Sequence, residues 1–143
     1  MTEEFTLHPD LKRDGIEIAD LPLCKLLLCN DSNYPWFIMV PKIAGVKDLY
    51  ELSWNDQQQF LNESSALSEI LMQCFNGEKM NVAALGNMTP QLHIHHVVRY
   101  VNDPCWPKPI WGQLPLLPYT REQLDNLKAK LLPMLNEVLK EDS

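Results

Sequence analysis

Two rhythms of apolar and polar positions divide this chain. The first is short and strand-like. Residues 21–29 read Leu-Pro-Leu-Cys-Lys-Leu-Leu-Leu-Cys and stop at Asn30-Asp31-Ser32-Asn33. Asn, Asp and Ser bond their own backbone and tolerate tight geometry, so a turn follows a strand there. Trp36-Phe37-Ile38-Met39-Val40 supplies a second strand, antiparallel to the first. Pro41 has no backbone donor and is expected to stop that ladder. The second rhythm begins at Ser53, a good N-cap. Phe60, Leu67, Leu71 and Cys74 fall at offsets 0, 7, 11 and 14, one face of a helix, with Ser64 breaking the stripe at offset 4. That helix should run to Phe75 and close at Asn76-Gly77, residues that tolerate a left-handed cap. Residues 80–85 then read as strand, 86–90 as turn and 91–101 as a further strand.

The ends follow different patterns. Residues 1–20 hold Phe5, Leu7 and Leu11 among many charges and predict an irregular or short hairpin-like start. Residues 102–112 contain three prolines and two tryptophans, which excludes helix or central strand. Two indoles favour burial, so an ordered arm across a surface is expected over 102–119. Thr120 and Gln123 have the spacing of a capping box. Leu124, Leu127, Leu131, Leu135 and Val138 continue one apolar stripe, so 120–143 predicts a C-terminal helix that Pro133 should kink or shorten. The sum is one α+β domain over residues 1–143: an antiparallel sheet, a long helix across one face and a C-terminal helix.

Composition narrows the classes. At 143 residues with 45% hydrophobic and 22% charged positions, the chain fits a soluble globular protein. No apolar run approaches the roughly 20 residues of a membrane span. Met1-Thr2-Glu3-Glu4 is acidic with no basic-then-apolar leader after it, so the cytoplasm is the expected compartment. A net charge of −7 lacks the basic surface that nucleic-acid polymers need, while a few local donors can still hold a compact phosphate. Cys24, Cys29, Cys74 and Cys105 are expected to be buried thiols rather than disulfides.

The chemistry concentrates in Gln91-Leu92-His93-Ile94-His95-His96-Val97-Val98, where three of the four histidines lie within four positions. On a strand, Gln91, His93 and His95 would share one face at about 7 Å spacing, and His96 would face the opposite side. Such a row suits an extended phosphate ligand. A His-x-His pair also suits a metal, with remote ligands such as His8 or a cysteine, although no carboxylate or thiol adjoins the motif.

An alternating His-apolar-His strand resembles the histidine-triad superfamily of nucleotide-binding hydrolases and transferases, with the first histidine replaced by Gln91. Cys29-Asn30-Asp31, Trp36 to Pro41-Lys42, Gly86-Asn87 and the downstream Trp106-Pro107-Lys108-Pro109-Ile110-Trp111-Gly112 resemble its bacterial branch. The resemblance spans roughly residues 20–112 and implies the same α+β fold. It implies that His93 is the nucleophile on the α-phosphate of a nucleoside phosphate conjugate, such as a dinucleoside polyphosphate or a nucleotide ester or amidate. Imidazole is nucleophilic near neutral pH. It implies phosphate contacts for His95, as an imidazolium or N–H donor, and for Asn87 and Thr89, and ribose contacts for Asn30 and Asp31. His96 is expected to be a buried, neutral, hydrogen-bonded residue. Gln91 can position a ligand but cannot take a proton. A nucleotide-binding module with little or no catalysis is therefore the alternative. Some relatives hold zinc on a close cysteine pair, a spacing that Cys24 and Cys29 do not match. No cofactor is expected. The expected partners are a nucleotide and a second copy of the chain, with no nucleic-acid polymer and no membrane. Trp106 and Trp111 are expected in core packing or a dimer contact rather than on a nucleobase.

Overall fold

The structure, a computed structural model, describes residues 4–139; the first three positions and the last four of the expected C-terminal helix lie outside the described residues. The chain folds as α1 (Pro9–Asp14), β1 (Gly15–Asp20), β2 (Cys24–Cys29), β3 (Trp36–Pro41), α2 (Trp54–Phe75), β4 (Lys79–Ala83), β5 (Ile94–Arg99) and α3 (Arg121–Leu139). The five strands form one antiparallel sheet in the order β1-β2-β3-β5-β4. The architecture is the expected α+β one.

Strand alternation sorts the core onto two faces. Leu26 and Leu28 of β2, Phe37 and Met39 of β3, and Ile94 and Val98 of β5 meet Leu67 and Leu71 of α2 and Leu127, Leu131 and Leu135 of α3. Leu27, Cys29, Ile38 and Val40 face the other way, toward Leu11 of α1. His96 belongs to the helix face and is fully buried. Its Nδ1–H donates to the Ile94 carbonyl (3.1 Å), and its Nε2 pairs with Ser64 Oγ at 2.7 Å. Ser64 thus interrupts the apolar stripe of α2 because a buried imidazole needs a partner there.

Capping follows the sequence in both long helices. Ser53 Oγ accepts from Asp56 N, and Asn76 ends α2 at φ 50°. Thr120 and Gln123 bond reciprocally at 2.9 and 3.1 Å. α3 continues through Pro133, and Val138 is exposed rather than part of the stripe. β3 includes Pro41, opposite Cys24. The N-terminal segment is a helix and an edge strand rather than an irregular start. Pro9 opens α1, and the His8 side chain caps it by accepting from Asp10 N at 3.0 Å.

The strand expected over 91–101 is shorter: the ladder starts at Ile94, and residues 91–93 precede it. The physical reason lies in the Gln91 side chain. Its Oε1 accepts from His8 N (2.8 Å) and its Nε2 donates to the Thr6 carbonyl (2.9 Å). This ties the N-terminal segment across the entrance to β5.

Candidate functional site

His93 and His95 lie side by side, with ring centroids 5.1 Å apart. Gln91 does not extend the row, since its amide is turned to the N-terminal segment. Its backbone carbonyl takes over the orienting task. His93 Nδ1 lies 2.7 Å from that oxygen. A carbonyl only accepts, so Nδ1 carries the proton and Nε2 keeps the lone pair. Gly86 lies against the same ring: a Cβ there would approach His93 Cε1 to 2.9 Å. Glycine permits this close approach of the turn to the imidazole.

His95 is engaged at both nitrogens. The Trp36 indole N–H donates to Nδ1 at 3.0 Å, and Nε2 lies 2.9 Å from the Leu85 carbonyl. Burial pushes its pKa down to about 4; the Leu85 carbonyl pulls the other way and His93 adds to the depression. Of the two forms expected at His95, imidazolium or neutral N–H donor, the geometry and the lowered pKa fit the neutral donor. The ring is neutral near pH 7, with its one N–H on Nε2. Trp111 packs edge-on to both His95 (5.3 Å) and Trp36 (6.4 Å).

A cavity of about 190 Å³ opens beside the two histidines. Asp10, Leu11 and Asp14 of α1 form one wall, with Trp36 and Ile38 of β3 and Thr89 of the turn before the motif around the rest. Among the described residues, no lysine or arginine lines it. Thr89 Oγ1 donates to Asp10 Oδ2 at 3.0 Å. Asn87 is exposed in that turn and does not line the cavity.

Asn30 and Asp31 are not brought to the row. Asp31 is 2% exposed, and its Oδ1 accepts from Asn33 N, Asn33 Nδ2 and Leu117 N. Asn30 Oδ1 accepts from Tyr119 N. Through Asp31 Oδ1 and Asn30 Oδ1, both side chains hold the segment before α3. That segment contributes Leu116 to the cavity rim.

The arm is anchored from β5. Arg99 is 1% exposed and grips Asp103 in a fork, at 2.7 Å from Nε and 3.1 Å from Nη2, while Nη1 donates to Asn81. Burial alone would raise the Asp103 carboxyl, but Arg99 and the backbone N–H groups of Tyr100 and Cys105 outweigh it and hold the pKa at about 2. The guanidinium also lies over the Trp106 ring at 5.5 Å. Trp106 is thus packed against the protein's own cation, and Trp111 packs edge-on against His95 without lining the cavity.

The four cysteines are buried and unpaired. Burial first, then the nearby Asp31 and Asp14, pushes the Cys29 thiol up to about 12. Among the described residues, no cluster of three or more His, Cys, Asp or Glu side chains is arranged to hold a metal, and no helix is long and apolar enough to cross a membrane.

Sequence reading missed Trp36, Asp10 and Asp14 as site residues. Trp36 was legible only as the start of a strand. The two aspartates sit on a six-residue helix whose histidine cap is not among the usual capping residues.

A model of the HIT domain family matches residues 12–102. A histidine triad protein from Marinobacter aquaeolei VT8 is 52% identical, with TM-score 0.92 over 95% of this chain and 99% of that one. A histidine triad protein from Bradyrhizobium japonicum is 37% identical, with TM-score 0.90 over 92% and 98%. A hypothetical histidine triad nucleotide-binding protein from Sulfolobus tokodaii strain7 shares the fold at 12% identity, with TM-score 0.66 over 90% and 89%. No curated protein matches the chain.

Proposed function

We propose a function from one premise: this chain belongs to the HIT domain family, whose fold is a nucleotide-binding one. It hydrolyses or transfers nucleotidyl groups at the α-phosphate of nucleoside phosphate conjugates. One observation carries this reading. The Gln91 carbonyl holds His93 with its proton on Nδ1, leaving the Nε2 lone pair as the nucleophile in a ring that lines the cavity.

Nε2 attacks the α-phosphorus, an N–P bond forms, and the bond from phosphorus to the leaving group breaks. The departing oxygen or nitrogen takes up a proton from solvent, and the water that attacks in the second step returns one to solvent. Water then attacks the same phosphorus, the N–P bond breaks, and a nucleoside monophosphate leaves. In this reading the His95 Nε2–H leaves the Leu85 carbonyl and the Thr89 hydroxyl leaves Asp10 to donate to phosphate oxygens, and such donors stabilise charge as it develops. Gln91 takes part through its carbonyl. The cavity is smaller than the roughly 300 Å³ at which pockets for drug-sized ligands begin. It therefore receives the reacting phosphate and leaves the rest of the substrate along the rim.

The alternative of binding without turnover rested on the missing proton acceptor at position 91. Its motive weakens once the Gln91 side chain is seen to serve the N-terminal segment while its backbone orients the nucleophile. A panel of adenylylated substrates, covering dinucleoside polyphosphates, esters and amidates, tests the proposal. Release of adenosine monophosphate from at least one class is expected; binding without release from any member overturns it.

We also propose a cytoplasmic homodimer. The thiols are unpaired, β4 is an open sheet edge with Val82 50% exposed, and Trp54 at the start of α2 is 71% exposed. Pairing would cover that edge and bury those side chains. Sedimentation equilibrium at micromolar concentration should give twice the chain mass; a monomer contradicts this.

A further inference from the structure

We propose that Trp36 is a positioning residue for His95: its indole N–H occupies Nδ1 and so fixes the neutral imidazole with its proton on Nε2, ready to donate to a substrate oxygen. This rests on the reading of the site given above, but its first link does not. The indole nitrogen is donor-only, so at 3.0 Å from His95 Nδ1 it makes that nitrogen an acceptor. Nε2 must then carry the proton in the neutral ring, and it points at an acceptor, the Leu85 carbonyl, at 2.9 Å. Both bonds agree on one tautomer.

The arrangement also blocks the cation. Protonating His95 at Nδ1 would set two donors against each other at hydrogen-bond distance. The groups facing the ring are His93 beside it and, across the same cavity, Asp10 and Asp14 of α1. Burial is the largest cause of the depressed His95 pKa and His93 adds to it, so the blocked Nδ1 and the buried ring both favour the neutral form.

The Leu85 carbonyl stands where a ligand oxygen would be accepted. A phosphoryl or leaving-group oxygen replaces it as acceptor when substrate enters. The donor is therefore set before binding, and its direction is held by a ring that does not titrate near neutral pH. Trp36 is itself held, by Trp111 edge-on and by its place opposite Val97 in the ladder.

The experiment is a pH titration of histidine side-chain nitrogens by ¹⁵N NMR in the wild type and in Trp36→Phe, which keeps a ring but removes the donor. The wild type should show His95 as the Nε2–H tautomer, with Nδ1 hydrogen-bonded and no titration down to about pH 5. In Trp36→Phe the His95 midpoint should rise by about one unit or more. Where a substrate is turned over, kcat should fall about tenfold with little change in KM. An unchanged midpoint and tautomer in a folded Trp36→Phe overturns the proposal. If that variant does not fold, the wild type alone decides: an Nδ1–H tautomer at His95 overturns it, and a scalar coupling between Trp36 Nε1 and His95 Nδ1 supports it. None of these spectra needs turnover. A panel with no active substrate therefore sinks the proposed function while leaving the role of Trp36 standing.

Discussion

His93→Ala should lower the rate of nucleoside monophosphate release on the order of 10⁴-fold or more. Removing a covalent nucleophile costs far more than removing a group that only orients or donates, because no neighbouring group can substitute for it. His95 cannot serve: its Nδ1 is taken by Trp36 and its Nε2 bears the proton. The loss should not come from unfolding. His93 precedes the β5 ladder, which starts at Ile94, so the substitution removes no strand pairing. Chemical unfolding of the variant should stay within about 2 kcal/mol of the wild type. Residual turnover within tenfold of the wild type would contradict the assignment.

The second large effect is acid instability. Burial first, then a neighbouring imidazole, holds both His95 and His96 at about 4, against an ordinary value of 6.5; backbone carbonyls partly oppose the shift. The unfolded chain therefore binds protons that the folded chain refuses between those two values. Stability must rise with pH across this window and fall as pH drops through it. From pH 7 to pH 5 the loss is roughly 2 kcal/mol for each histidine, about 4 kcal/mol for the two together. That is a large share of the roughly 5–15 kcal/mol that holds a domain folded. Asp103 does not offset this, since its carboxyl stays ionised until far lower pH. Urea unfolding at pH 7, 6 and 5 should show the decline. A midpoint that does not move over that range would contradict the neutral, buried state of both rings.

Much of this was legible in the sequence, for a physical reason. Alternation separates His93 and His95 from His96, because period 2 alone decides which side of a sheet a residue faces. α2 and α3 were legible because Leu67, Leu71, Leu127 and Leu131 repeat at helical spacing and Ser53 and Thr120 cap locally. What was not legible depends on partners far away in the chain. Gln91 looked like a third member of the row, but its amide bonds residues 83 and 85 positions earlier. Asp31 reads correctly as turn chemistry through Asn33, yet its bond to Leu117 spans 86 positions. Trp36 matters through a bond across 59 positions, between strands whose pairing a single chain does not announce. Local chemistry could be read from the sequence, while the choice among several possible partners was made by the fold.

The covalent intermediate tests the central claim most directly. Wild-type protein mixed with an adenylylated substrate and quenched within milliseconds, without acid, should carry an added adenylyl group, and peptide mass spectrometry should place it on His93. A substrate consumed with no adduct at any time point, or an adduct on another residue, would contradict the account.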